Sequence, residues 1–430
     1  ESVYEQNMEE LFLEWNENPE EWLTPEDFEN IKSDEVMEHV YILASKASKE
    51  LSWVNRQVSK ILVDWEREDE VNRKLWKLIL NWVFSGQRKT MERLGSKTDH
   101  YWYESDYYKE GKELVNKGLE KGVFRRDGDA IITNFEKYNT PDTIVIKSDG
   151  TALYITQDLR LTELKVDTFP ADKYIWIVGS EQKLTLNQVF LASDLLGIVD
   201  KDKLRHFAYG LFTTDSGDKI GSRKGNVISA DNLIDLVTDV AKNVIDEKKM
   251  DYSENVKSLI SEKVGIGALK YFILKANPLS FLKFNVEEAT SFDGNTGPYL
   301  QYTYARAKSI LREAGIEKYE QIREEEIFLT KTSEKGNALI YEKESELSIL
   351  RMLYKFPEII INSAENLAPN YIADYVFDLA QKFNTFYREC SVLNAETEVV
   401  KKSRLLLTAG VSQVIYNSLK LLGIDALEKM

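Results

Sequence analysis

Four clusters in this chain of 430 residues have the residue types and spacing to do chemistry. Tyr154 and Asp158 stand four residues apart in Tyr154-Ile155-Thr156-Gln157-Asp158, and Gln182 closes the later run Val178-Gly179-Ser180-Glu181-Gln182. A carboxylate, a phenol and an amide make a cradle for a planar guanidinium, whose fork pairs bidentately with Asp while its remaining N–H groups need neutral acceptors. The same letters also suit an Asp158 that caps a turn and a Tyr154 packed in a core. Lys219-Ile220-Gly221-Ser222-Arg223-Lys224-Gly225 sets three cations around glycines. Glycines let a backbone approach phosphate, and fixed cations stabilise the charge that develops there. A solvated basic turn reads alike, and the spacing is not that of a Walker loop. Thr296 to Tyr302, with Tyr304, Arg306 and Lys308 beyond, interleaves aromatics with cations. Such a stretch can stack unpaired bases, at about 1–3 kcal/mol per base, or pack a helix against a neighbouring domain.

The elements that must position these residues follow from periodicity. From Met8 to about Gly95 the pattern is helical, with Trp15, Trp22, Trp53, Trp65, Trp76 and Trp82 at core-like spacing. Tyr101 to Tyr138 is mixed and punctuated by Gly111, Gly118, Gly122 and Gly128. Thr143–Ile146 and Ala152–Thr156 read as strands joined by an Asp149-Gly150 hairpin. Tyr174 to Val178 reads as a buried parallel strand, followed by a crossover helix through Leu196 that stops at Gly197. His206 to Phe212 is a further strand, and Ser229 and Asp231 open a helix. These elements form half of a doubly wound layer, in which ligands sit beyond the carboxyl ends of the strands. From about Leu233 only helices follow, and Phe292 to Met430 reads as a bundle with Pro357 and Pro369 near helix boundaries.

Composition narrows the class. Hydrophobic content is 43%, yet no apolar run approaches the ~18 residues of a membrane span, and the acidic start is no signal peptide. The expectation is a soluble, cytoplasmic protein of several domains. The acidic, helix-like opening at Glu1 reads as the interior of a longer chain. Cys390 is the single cysteine, and His39, His100 and His206 have no metal spacing, so no protein-held metal is expected. A formal charge of −16 means that any RNA must be held by local patches rather than by a global field.

In order and spacing the four clusters resemble arginyl-tRNA synthetase, a class I aminoacyl-tRNA synthetase. The resemblance is densest over Asp149–Asp235 and Phe292–Met430, and Lys382-Phe383-Asn384-Thr385-Phe386-Tyr387 and Leu421-Leu422-Gly423-Ile424 look like the family's closing helices. It implies that Tyr154, Asp158 and Gln182 bind arginine, and that Lys219, Arg223 and Lys224 are catalytic in place of the Lys-Met-Ser-Lys-Ser signature. It also implies that Gly179, Gly221, Ser222 and Gly225 approach ATP, which arrives with Mg2+, and that Tyr299, Gln301, Tyr302 and Arg306 contact tRNA-Arg. The implied architecture is an incomplete Rossmann-like α/β catalytic part plus an all-α anticodon-binding bundle, mostly helical overall. Expected boundaries are 1–140 for a helical and mixed insertion, 141–236 for the second catalytic half, 237–290 for a helical connector and 291–430 for the bundle. A monomer is the expected state.

Departures accompany the likeness. Gln157 stands where the family usually has Arg, Thr185 where it has His, and Ile220 and Gly221 where Met and Ser are common. No His-Ile-Gly-His element occurs. Losing one donor to a transition-state oxyanion costs about 2.7–4 kcal/mol, so this chain by itself is expected to charge tRNA poorly. The alternative is a non-catalytic RNA-binding paralogue that keeps the arginine crevice and the helical domain.

Overall fold

The computed structural model describes residues 32–210, 229–247, 252–316 and 341–430. They fall into two units, one drawn from residues 1–97 with 219–235 and the other from 98–218 with 236–430.

The first unit holds α1 (Ser33–Glu50), α2 (Ser52–Glu66), α3 (Glu70–Arg93) and the opening of α7 (Ala230–Glu247). Asp69 caps α3 by accepting from the Asn72 amide at 2.9 Å. Gly86 of α3 lies directly against Asp34 of α1, so any Cβ there would displace that side chain. Ser229 caps α7 through the Asn232 amide, as the sequence suggested. Asp231 in its first turn accepts from Thr90 at 2.7 Å and Arg93 at 3.1 Å and pairs with Lys32. The described tryptophans differ from expectation: Trp53, Trp65, Trp76 and Trp82 are half-buried, whereas Val36, Leu75 and Ile234 are buried, and Trp15 and Trp22 lie outside the described residues. An indole is too large to vanish between so few helices and stays at their rim, as Trp65 does beneath the Arg73 guanidinium at 3.7 Å.

The second unit begins with α4 (Glu104–Glu120), followed by the antiparallel meander β1 (Phe124–Asp127), β2 (Ala130–Thr133) and β3 (Ile144–Ile146). Gly128 supplies the positive φ, +60°, that the tight β1–β2 turn requires. The Asp149-Gly150 turn forms as expected, but the strand expected over Ala152–Thr156 does not. Only one bridge, Ile146 to Ala152, survives, and α5 (Tyr154–Thr168) starts two residues later. Ile155, Leu159 and Thr162 recur at helical spacing and are all buried, so the core selects helix over the β-branched local preference. Parallel strands β4 (Tyr174–Gly179) and β5 (Leu204–Tyr209) flank α6 (Lys183–Leu196), which ends in a left-handed Gly197 at φ +78°. This is the expected strand, crossover helix, strand unit, although only Trp176 in β4 is buried. One core joins α4, the meander, α5, β4 and α6 through Val115, Phe124, Val145, Leu159, Trp176 and Val189.

The remaining elements are helical: α8 (Glu254–Leu274), the short α9 (Val286–Thr290), α10 (Gly297–Glu313), α11 (Glu344–Asn366), α12 (Asn370–Glu389) and α13 (Glu398–Leu421). Their core gathers Tyr271, Leu300, Ile349, Leu379, Phe383, Phe386 and Ile415. Thr296 caps α10 and Pro298 fills its first turn. Gly297 there meets Gly267 of α8 so closely that a Cβ could not fit. Pro369 marks the start of α12 as expected, but Pro357 lies inside α11, whose packing on α12 and α13 outweighs the lost hydrogen bond. Glu346 ties the bundle together: it accepts from the Glu342 and Lys343 amides and from Arg404 Nε at 2.7 Å, with side chains only 2% and 4% exposed.

Candidate active site and nucleic-acid face

Tyr154 and Asp158 occupy the first turns of α5, not the end of a strand. Four residues is one helical turn, so both lie on one side of α5. Gly111 of α4 lets this turn sit against that helix: a Cβ at Gly111 would stand 2.9 Å from the Thr156 carbonyl oxygen. The close crossing places α4 residues beside Asp158. Glu104 acts on it electrostatically, and the buried Tyr107 phenol feels both carboxylates. Burial, with Glu104 adding to it and Lys165 opposing, pushes the Asp158 carboxyl up to about 6. Burial likewise pushes Tyr107 up to about 12, with help from Glu104 and Asp158.

The site therefore pairs two carboxylates, one exposed and one largely enclosed. Neither Glu104 nor Asp158 has a cation within 4 Å among the described residues. Two neighbouring carboxylates without such a partner are poised for a cationic ligand that brings its own donors. Tyr154 is 75% exposed, so its phenol is free to reach a ligand and does not pack in the core. Gln182 is exposed at the end of a short helical turn just past β4, where α6 begins. That is the carboxyl end of a parallel strand, the place where such layers bind ligands. Glu104, Tyr107 and Lys165 escaped the sequence reading, because acidic residues in a helix's first turn and a lysine within a helix are commonplace. Gln157, in the position of the family's usual Arg, has a buried Oε1 without a hydrogen-bond partner.

Gly179 ends β4 with φ −57° and no crowding of its Cα, which leaves room beside the backbone. Lys219, Gly221, Ser222, Arg223, Lys224 and Gly225 lie outside the described residues. Among the described residues no group of three or more His, Cys, Asp or Glu side chains could hold a metal ion.

On α10 the four expected RNA contacts separate. Gln301 is fully buried and donates to the carbonyls of Lys263 at 3.2 Å and Asp425 at 2.8 Å. It joins α8, α10 and the C-terminal segment, and this corrects its assignment as an RNA contact: a residue on the inner face of α10 cannot reach a nucleotide. Tyr302 and Arg306 lie one turn apart on the outer side. The Arg306 guanidinium stands 4.9 Å from the Tyr302 ring centre and 5.1 Å from that of Tyr387. Asn384 of α12 fixes the arrangement, bonding Arg306, Tyr299 Oη at 2.9 Å and Thr303 Oγ1 at 3.1 Å. Open clefts of about 710 and 910 Å³ share Tyr302, Arg306 and Arg388 in their walls. Aromatic faces interleaved with guanidinium groups beside open volume suit the stacking of unpaired bases.

Comparison with known proteins identifies the family. Residues 24–286 match the catalytic domain of class I tRNA synthetases (R), and residues 300–430 match the DALR anticodon binding domain. The arginine–tRNA ligase of Parabacteroides distasonis is 34% identical over 416 residues, covering 94% of this chain and 67% of the relative. That of Flavobacterium psychrophilum is 37% identical over 87% of this chain and 60% of the relative. The chain thus spans about two thirds or less of these relatives' length. In fold it is similar to the crystal structures of arginyl-tRNA synthetase from Plasmodium falciparum and Thermus thermophilus, with TM-scores of 0.74 and 0.71 at 24% identity and 90% of this chain covered. Those structures are covered to 64% and 73% of their length. The carboxylate pair on α4 and α5, the parallel β4–β5 unit, the aromatic-cation face of the bundle and these matches together place the chain in the arginyl-tRNA synthetase family of class I.

Proposed function

We propose that this chain recognises arginine and the anticodon side of tRNA-Arg for an arginine–tRNA ligase. The observation that carries the reading is the carboxylate pair, Asp158 on α5 and Glu104 on α4, which among the described residues has no cation within 4 Å and lies beside an exposed Tyr154 phenol. The ligase reaction joins the arginine carboxylate to the ATP α-phosphate with release of pyrophosphate, and then transfers the arginyl group to the terminal ribose of the tRNA with release of AMP. In it, Asp158 takes the guanidinium bidentately, Glu104 supplies a second negative charge, and Tyr154 and Gln182 accept or donate at the polar edge. Each charge-assisted bond is worth about 1.5–3 kcal/mol. The cations Lys219, Arg223 and Lys224 are assigned to the ATP phosphates from their sequence pattern alone. Magnesium is assigned as the ion that accompanies ATP.

Tyr302 and Arg306, with Tyr299 behind them, are assigned to unpaired anticodon bases. Calorimetric titration with arginine and with lysine, each with and without a tRNA reading arginine codons, tests the reading. Selective arginine binding that Asp158→Asn weakens more than Tyr154→Phe is the expected result. Binding of the tRNA with neither amino acid would favour the non-catalytic RNA-binding alternative.

A further inference from the structure

Lys165 sits on α5 seven residues after Asp158, two turns along the same stripe. Helical side chains lean toward the helix N-terminus, which carries its ammonium back in the direction of Asp158. Its stem is not free at the surface: Nζ stands 4.6 Å from the ring centre of Trp176, a buried residue of β4 that Phe190 of α6 backs edge-on at 5.1 Å. Among the described residues no carboxylate comes within 4 Å of it, although Asp158 acts on it electrostatically. A lysine kept only for packing would run its stem along apolar surface and free its ammonium into water. This one turns its charge inward, where an indole face and a carboxylate field offset part of the lost hydration.

We propose that Lys165 is the resident counter-ion of the arginine site, a positioning residue whose ammonium balances Asp158 and Glu104 until the substrate guanidinium arrives. The proposal rests on the arginine reading above. Burial and the field of Glu104 favour the protonated Asp158 carboxyl, and a site that must shed a proton to bind a cation binds it weakly near neutral pH. Glu104 from α4 and Lys165 from α5 itself act on Asp158, and Asp158 in turn acts on Lys165 and on Tyr107 of α4. Neither β3, β4 nor α6 contributes an ionisable group acting on Asp158 or Lys165. Once arginine is bound, two negative and two positive charges face one another, and the enclosed site is neutral. Lys165 also repels the ligand, so its removal trades a proton held by the empty site against relief of that repulsion.

The test uses Lys165→Met, which keeps the stem over Trp176, and Lys165→Arg, which keeps the charge. Carboxyl-carbon NMR of the arginine-free protein reads the Asp158 midpoint. Lys165→Met is expected to raise it by about one unit and Lys165→Arg to restore it. Arginine titration then reads the consequence. With a midpoint of about 6 in the unaltered chain, the ionised fraction near that pH falls from about one half to about one in eleven. The affinity of Lys165→Met relative to the unaltered chain therefore drops about fivefold between about pH 8.5 and about pH 6. An Asp158 midpoint unmoved in a folded Lys165→Met protein, or an affinity ratio flat with pH, overturns the proposal. A raised midpoint in a chain whose unaltered form binds no arginine at any pH counts against the arginine site itself and not against the electrostatic coupling of Lys165 to Asp158.

Discussion

Asp158→Asn should stabilise the protein while damaging its arginine site. Burial first, and then the negative field of Glu104, push the Asp158 carboxyl up to about 6 from an ordinary value of 3.8. Since the folded value is the higher one, the native state binds more protons than the unfolded state between those limits. Stability therefore falls as pH rises through that window, and the penalty is complete above about pH 6. The difference of about two units corresponds to about 3 kcal/mol. Asparagine keeps the shape and removes the charge, so the variant should gain up to that amount near pH 7.5. The gain shrinks through the window and disappears below about pH 4. The attraction to Lys165 is already contained in the value of about 6, and partial solvent screening of Asp158 makes about 3 kcal/mol a ceiling. Urea unfolding followed by fluorescence, with Trp176 of the same core among the reporters, measures the difference at each pH. Arginine affinity should fall at least about tenfold, the loss of one charge-assisted bond of about 1.5 kcal/mol or more. A variant no more stable than the parent near pH 7.5, or a difference that does not vary with pH, would refute the reasoning.

Three further outcomes follow from named contacts. Arg404→Met should cost about 3–5 kcal/mol in bundle stability, because it strands a buried Glu346, and pairing it with Glu346→Gln should recover much of that loss on chemical unfolding. Burial alone would raise Glu346, but the hydrogen bonds from Arg404 and two backbone amides outweigh it and hold the carboxyl below its usual value of 4.5. Its contribution is thus present above that value and is lost as pH falls through the lower folded value, which a pH series of unfolding curves will register. Gly111→Val should force α4 away from the Thr156 carbonyl, lowering stability by about 1–3 kcal/mol and weakening arginine binding, as thermal unfolding and calorimetry would read together. Tyr302→Ala should weaken binding of an anticodon stem-loop by about 1–3 kcal/mol, whereas Gln301→Leu should lower stability and leave the affinity of the folded fraction unchanged in an anisotropy titration.

The residue types and their order determined a great deal on their own. A carboxylate and a phenol four residues apart, an amide past an apolar run that stops at glycine, and tyrosines interleaved with arginine suggest their chemistry locally, because charge, hydrogen-bonding capacity and ring area belong to the side chain itself. Strand β4, the glycine stop of α6 and the Ser229 cap were equally legible, since each depends on neighbours a few residues away. What only the tertiary structure decided depends on separation. Ala152–Thr156 reads as strand by local preference, yet Ile155, Leu159 and Thr162 fold it into α5 because the core lies on one side only. Gln301 looks like an RNA contact until the carbonyls of Lys263 and Asp425 close over it. Glu104 and Lys165, 61 residues apart in the chain, carry no local mark of their role. Their charges act on Asp158 only because Gly111 lets α4 approach α5 and Trp176 holds the lysine inward, and Coulomb energy follows distance in space rather than along the sequence.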